Sequence, residues 1–210
     1  MVKRLLEGNA RHVQKRAKEI SATASGQTPH SCFTTCADSR APLHLIADAT
    51  VGEVFTGPAN AGNVVNPNDS AVRSTFEYAI RHLKVQHVGV MGHYRCGAIA
   101  ALDEMHHLET GLQEHLTGLL PAKSIVDQFL FGKKVSQEEK RDLISEANVF
   151  SQLKNLRSID VGGATIGELE KQGKLGVHAL FYDVKTGELS SKPQMLEKFG
   201  MLILVKSRFS

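Results

Sequence analysis

The residues best suited to chemistry sit in two short runs, Cys36-Ala37-Asp38-Ser39-Arg40 and Gly92-His93-Tyr94-Arg95-Cys96. Together they supply two thiols, one imidazole and an aspartate-arginine pair. Thiolate and imidazole are zinc ligands, and a tetrahedral zinc with three protein ligands keeps its fourth position open for water or substrate. Cys36, His93 and Cys96 therefore read as a catalytic zinc (Zn2+) site, not a closed structural one. In such a site the metal lowers the pKa of its water from 15.7 towards about 7. Two thiolates offset the charge of the dication, so the water here needs help. A carboxylate at Asp38 can accept its remaining hydrogen and aim its lone pair. The forked, always charged guanidinium of Arg40 can hold that carboxylate away from the open position.

Each of these residues alone has a plainer reading. Cysteine is among the most buried residue types, and a lone histidine is often a satisfied interior side chain. Their joint placement carries the metal reading: His-x-x-Cys puts both side chains on one side of a turn, and Cys36 ends a separate candidate strand. Cys32, inside that strand, reads as core. His106-His107, with Glu104 and His115 nearby, lacks the His-Glu-x-x-His order of a helical metal motif and reads as a solvated helix face.

The elements that must position these groups follow from periodicity. Short apolar runs alternate with helical spacings, which predicts an α/β fold with a central, mainly parallel sheet flanked by helices. Ser31 to Cys36 is a strand leading into the first ligand, Pro42 to Asp48 a short helix and Glu53 to Thr56 a second strand. Gly57-Pro58-Ala59-Asn60-Ala61-Gly62-Asn63 reads as a tight loop. Asp69 and Ser70 can cap a helix with Val72, Phe76, Ala79, Ile80 and Leu83 on its apolar face. The nearly all-apolar run ending at Met91 fits a strand covered on both faces, and it delivers Gly92 and His93. Cys96 falls in the first turn of the next helix, where unpaired amides and the helix dipole favour a thiolate. Leu102 to Leu156 reads as mostly helical, Val177 to Val184 and Leu189 as a strand and hairpin about Lys185-Thr186-Gly187, and Leu202 to Val205 as a last strand.

Composition bounds the function classes. With 210 residues, 41% of them hydrophobic, and no linker or repeat, the chain reads as a single domain spanning 1–210, with an N-terminal helical arm at 1–24 and a catalytic core at 25–210. A net charge of +3 with dispersed basic residues gives no footprint for nucleic acid, and no apolar run approaches a membrane span. Three cysteines are too few for a disulfide framework, which points to a reducing, cytoplasmic setting. The arm is basic and amphipathic, but Glu7 and Glu19 and the lack of serine before Ser21 argue against a mitochondrial leader. So polar a helix is expected to pack on a neighbour.

With these motifs the chain resembles the β-class carbonic anhydrases, in particular the plant-like branch. The likeness runs from Leu5-Leu6-Glu7-Gly8-Asn9, through Cys-x-Asp-Ser-Arg and His-x-x-Cys, to Tyr182-Asp183-x-x-Thr186-Gly187. It implies a zinc enzyme that reversibly hydrates carbon dioxide to bicarbonate and a proton through zinc-bound hydroxide. Cys36, His93 and Cys96 would hold the metal, with Asp38 and Arg40 as the catalytic dyad. Gln27, Phe55 and Tyr78 align with residues around the substrate, Ala61 takes the place of a bulkier pocket residue, and Gln27 would position bicarbonate by an amide hydrogen bond. The resemblance also implies a homodimer or homotetramer in which the N-terminal helix reaches over a neighbour and some pocket residues come from the partner.

This chain departs from the family pattern chiefly in the divergent segment 57–63. Ala59 stands where an arginine is usual and Phe33 where some members have tryptophan, so an inhibitory bicarbonate site built on that pair is expected to be absent. Arg95, at a position usually small or acidic, is expected to add positive charge near the zinc. Two alternatives stand beside carbon dioxide hydration. One is a related zinc hydrolase for carbonyl sulfide or carbon disulfide, with Ala61 and the altered loop widening the pocket. The other is a zinc-stabilised scaffold without turnover, which would have no use for the Asp38–Arg40 pair.

Overall fold

A computed structural model describes residues 1–209. Five strands form its sheet: β1 (Ser31–Cys36), β2 (Val54–Asn60), β3 (His87–His93), β4 (Gly176–Asp183) and β5 (Glu188–Ser190). They lie in the order β2-β1-β3-β4-β5, the first four mutually parallel and β5 antiparallel to β4 at the edge. The helices are α1 (Val2–Thr23), α2 (Leu43–Ile46), α3 (Ser70–Glu77, continued by a π turn over Tyr78–His82), α4 (Gly97–Ala101) and α5 (Thr110–Leu116), followed by α6 (Leu120–Leu130), α7 (Gln137–Arg157), α8 (Ile166–Lys171), α9 (Gln194–Lys198) and α10 (Leu202–Arg208). This is the α/β fold with a mainly parallel, helix-flanked sheet that the sequence pattern predicts.

Burial explains why β3 is so apolar. Val88 and Val90 pack with Phe76 of α3 and Val149 and Leu153 of α7. On the other face Met91 packs with Phe33, Tyr182 and Leu43. A strand covered on both sides needs this composition, and each fully buried side chain of this size stabilises the fold by about 1.5–3 kcal/mol. A third cluster from α5, α6 and α7, including Leu116, Leu119, Ile144 and Ala147, packs against Cys36 and Cys96 and so seats two of the predicted ligands. Local caps set the helix starts. The Asp69 side chain accepts from the Ala71 amide, and Ser136 and Glu139 form a reciprocal capping box that opens α7.

Several boundaries differ from the sequence reading. Gly57 to Asn60 is not loop: β2 continues through it, with Thr35 paired to Ala59 and Cys36 to Asn60. Register shifts between Phe33 and Thr35, a bulge that accommodates Pro58, and β2 is an edge strand where proline costs no ladder bond to a second neighbour. Only Ala61 and Gly62 form the turn. Leu202 to Val205 is helix α10, not a strand. Met201, Val205 and Phe209 recur every fourth residue and are buried, while Ile203 is 85% exposed, and a short apolar run does not by itself distinguish the two structures. The apolar run from Val85 to Met91 predicts a strand over those residues, but β3 starts at His87, because the Val85 amide closes the preceding turn by donating to the Ala79 carbonyl.

The arm is helical as expected, with no buried residue in the single chain. It is tied to the core by polar contacts: Arg16 Nη1 donates to the Ala49 carbonyl at 3.1 Å, and the Val51 amide donates to Glu19 Oε2 at 3.1 Å.

Candidate metal centre

Strands β1 and β3 are adjacent and parallel, so their carboxyl ends lie side by side, which is where ligands collect in open parallel sheets. Cys36 ends β1, His93 ends β3, and Cys96 is the N-cap of α4. The two sulfurs and a His93 ring nitrogen lie within 4.8 Å of one another, all on buried residues, with the sulfurs 3.9 Å apart. His93 Nδ1 donates to the Tyr94 carbonyl at 2.9 Å, which fixes the tautomer and leaves the Nε2 lone pair free. That Nε2 is buried without a hydrogen-bond partner, an omission that costs about 1–3 kcal/mol unless something accepts the lone pair. The sulfurs tell the same story. A shared S–H···S contact draws the Cys36 thiol down and pushes Cys96 up, so one proton sits where a dication would satisfy two thiolates. Two sulfurs and an imidazole in one buried cluster are a donor set that fits zinc.

Asp38 and Arg40 are joined side chain to side chain. Arg40 Nε donates to Asp38 Oδ1 at 2.9 Å and Nη2 to Oδ2 at 2.7 Å, while the Arg40 amide donates to Oδ1 at 2.9 Å. These bonds hold the Asp38 carboxyl at about 2, so it is ionised throughout the neutral range. Asp38 Oδ2 lies 3.8 Å from His93 Nε2, at the edge of the ligand cluster. Arg40 Nη2 also donates to the Arg95 carbonyl at 3.1 Å. Arg95 itself corrects an expectation: its guanidinium is engaged by Asp183 at 3.0 Å and Glu138 at 2.6 Å. Its charge is paired there with two carboxylates; what it presents to Arg40 is its carbonyl. Its backbone is left-handed, φ 56°, and its amide donates to Asp142 Oδ1 at 2.8 Å.

A cavity of about 270 Å³ opens beside Cys36 and Asp38, lined among others by Phe33, His44, Phe55 and Ala59. Of the residues aligned with a substrate pocket, Phe55 lines this cavity. Gln27 borders a neighbouring groove that shares Phe55 and His44. Tyr78 is exposed and packs its ring on Phe55, centroids 5.9 Å apart. Ala61 packs into the cluster that contains Cys36 and Cys96. The structure thus brings the three candidate metal ligands and the Asp38–Arg40 pair together, and sets Gln27 and Tyr78 around Phe55 at the rim. The His106 and His107 rings lie tilted against each other, centroids 3.9 Å apart, and His115 bonds to the Ala61 carbonyl at 2.9 Å. None of the three belongs to the donor cluster.

A family model described as carbonic anhydrase matches residues 31–189. The chain belongs to the carbonic anhydrase family. It is 28% identical over 195 residues to a carbonic anhydrase of Pseudomonas aeruginosa, covering 89% of this chain and 84% of that one. A carbonic anhydrase of Synechococcus elongatus is 30% identical over 173 residues, 79% of this chain, and the match spans only 61% of that relative's length. Among solved structures, a β-carbonic anhydrase of the fungal pathogen Aspergillus fumigatus superposes with TM-score 0.76 at 30% identity, over 100% of this chain and 96% of that chain. Tetrameric β-carbonic anhydrases of Sordaria macrospora give TM-score 0.78 at 26% identity, over 90% and 93% of the two chains. The β class follows from these neighbours.

What sequence reading missed is the support behind the candidate ligands, supplied by α7. Fully buried Glu146 accepts the Tyr94 hydroxyl and the Met195 and Leu196 amides at 2.9 and 2.7 Å. Asn148 donates to the Gly62 carbonyl at 2.9 Å, and Gln152 accepts the Val65 amide at 2.9 Å. With Asp142 on the Arg95 amide, these side chains fix the loop between His93 and Cys96 and the segment from Gly62 to Val65, whose Gly62 amide donates to Cys36 Sγ at 3.4 Å. The signal in the sequence is a run of Asp, Glu, Asn and Gln interleaved with Leu143, Ala147 and Leu153, which reads equally well as a solvated helix face.

Proposed function

We propose that the chain catalyses the reversible hydration of carbon dioxide to bicarbonate and a proton, with zinc held by Cys36, His93 and Cys96. The observation that carries this reading is the bidentate Asp38–Arg40 pair at the edge of an incomplete three-donor metal cluster. Zinc, when bound, supplies a Lewis acid that acidifies a coordinated water so that it is a nucleophile at neutral pH. Asp38, kept ionised and turned by Arg40, accepts a hydrogen bond from the attacking oxygen and orients it. Arg40 keeps both carboxylate oxygens occupied, so Asp38 does not compete for the metal. The apolar lining of buried Phe33, half-buried Phe55 and Ala59 at the exposed rim offers an approach suited to a neutral linear substrate, and Gln27 would hold the product's polar oxygens once a neighbouring subunit completes the site.

We further read the enzyme as a member of the plant-like branch working as a homodimer or homotetramer, one catalytic domain with a helical arm. The unburied arm and the position of Gln27 and Tyr78 outside the cavity support a pocket completed by a neighbouring subunit. Phe33 and Ala59 both line the cavity beside Cys36, where a tryptophan-arginine pair would be needed for an inhibitory bicarbonate site; we read that site as lost. Three cysteines free of disulfides support a cytoplasmic setting, and no helix among the described residues is long and apolar enough to cross a membrane. No observation favours a sulfur substrate or a turnover-free scaffold. Stopped-flow carbon dioxide hydration tests the proposal: zinc-loaded protein is active and Cys36→Ser is not. Full activity in Cys36→Ser would sink the ligand assignment.

A further inference from the structure

The metal centre occupies the carboxyl ends of the strands, and a second pair of metal-ligating side chains lies at the other end of the sheet. His87 opens β3, and its register partner in β4 is Gly176, two residues before His178. Side chains two apart on a strand share a face, so both imidazoles rise from the same face of neighbouring strands. His87 Nδ1 and His178 Nε2 are 3.0 Å apart, with the rings inclined at 62°, and both residues are exposed. A Cβ on Gly176 would lie 2.6 Å from the first nitrogen and 2.7 Å from the second. The bare Cα is therefore what lets both rings turn their nitrogens to a common point.

We propose that His87 and His178 form a second metal site, separate from the Cys36–His93–Cys96 centre, for a divalent cation that takes cis nitrogen ligands at right angles, nickel(II) or copper(II). The spacing selects the cation. With metal–imidazole bonds of about 2.0–2.1 Å, two nitrogens 3.0 Å apart subtend about 94° at the ion, whereas a tetrahedral zinc would need them about 3.35 Å apart. Tetragonal and octahedral cations with imidazole ligands meet the smaller angle. Each neutral ring carries one N–H. The present contact uses one of them as the donor, and binding moves that hydrogen to the ring's outer nitrogen, so no proton is released. Partial desolvation at the strand surface and then the neighbouring His87 lower the pKa of His178, which favours the unprotonated ring that a ligand must be. Water fills the remaining positions. Glu170, a carboxylate whose charge acts on His178, is held by Arg157 at 2.6 and 2.9 Å and is not counted as a ligand.

The test is calorimetric titration of nickel chloride into the zinc-loaded protein at pH 7.5, with bound zinc measured before and after. The wild-type chain is expected to take up one nickel without losing zinc. His178→Ala should weaken nickel binding at least tenfold at unchanged zinc content and melting temperature. Gly176→Ala, which keeps both imidazoles but fills the space between them, should weaken it likewise. If Gly176→Ala does not fold, His87→Ala replaces it as the second variant. Equal nickel affinity in wild type and His178→Ala, no nickel uptake by the wild type, or uptake only in exchange for zinc would overturn the site.

Discussion

Replacing Tyr94 by Phe removes one hydroxyl from the support behind the metal loop, and the structure sets the size of the effect. Glu146 is fully buried and has three donors in this region, the Tyr94 hydroxyl and the Met195 and Leu196 amides. Deleting a hydrogen bond to a charged, buried acceptor costs about 1.5–3 kcal/mol. For a chain of this size that corresponds to a fall in Tm of roughly 3–12 °C. The pH dependence gives a sharper check. Burial raises the Glu146 pKa, and the Tyr94 bond opposes that rise. A carboxyl raised in the folded state keeps its proton above the unfolded value of about 4.3. Stability therefore falls as pH climbs from that value through the folded one, because the native state binds more protons there. Tyr94→Phe raises the folded pKa further, so its cost is complete above this window. Below it, where the acid is protonated, only a neutral hydrogen bond of about 0.5–1.5 kcal/mol is at stake. Urea denaturation of the metal-free proteins at pH 7.5 and 4.5, at equal protein concentration, measures both losses. A loss under about 0.5 kcal/mol at pH 7.5, or one that grows on acidification, would refute the reasoning.

Three further outcomes are expected. Asp38→Asn should lower kcat by about 10²–10⁴-fold with one zinc still bound per chain, read by stopped-flow hydration and metal analysis. Arg95→Ala should lower kcat/KM by about tenfold, the equivalent of one hydrogen bond, because the backbone carbonyl that holds Arg40 is no longer anchored through the guanidinium to Asp183 and Glu138; Arg95→Lys, able to pair with Asp183 or Glu138, should recover part of the loss. In zinc-stripped native protein at pH 8, alkylation followed by mass spectrometry should label Cys36 and spare Cys32, whose thiol is pushed up to about 12 by burial; rapid labelling of Cys32 would contradict its place in the core.

The fold and the three-donor cluster were legible for a common reason: both rest on short-range patterns. An apolar run ending in Gly92-His93 marks a central strand delivering a ligand, and His-x-x-Cys spans a single turn. The misreadings came from long-range context. Pro58 looks like a loop signal, and only the partner strand β1 shows that a bulge absorbs it. Leu202 to Val205 is apolar at every position, and only the burial of Met201, Val205 and Phe209 reveals a helical face. The charge of Arg95 could not be placed from sequence because its partners, Glu138 and Asp183, lie far along the chain on α7 and β4. Asp142 and Glu146 were hidden similarly, since a buried carboxylate is conspicuous only once the donors that satisfy it are in view.

The most direct test restores zinc stepwise to stripped wild-type protein and follows the rate of carbon dioxide hydration against bound metal. The proposed function requires a linear rise in rate that ends at one zinc per chain. Full zinc occupancy with no hydration above the buffer rate, or hydration that persists in the stripped protein, would contradict it.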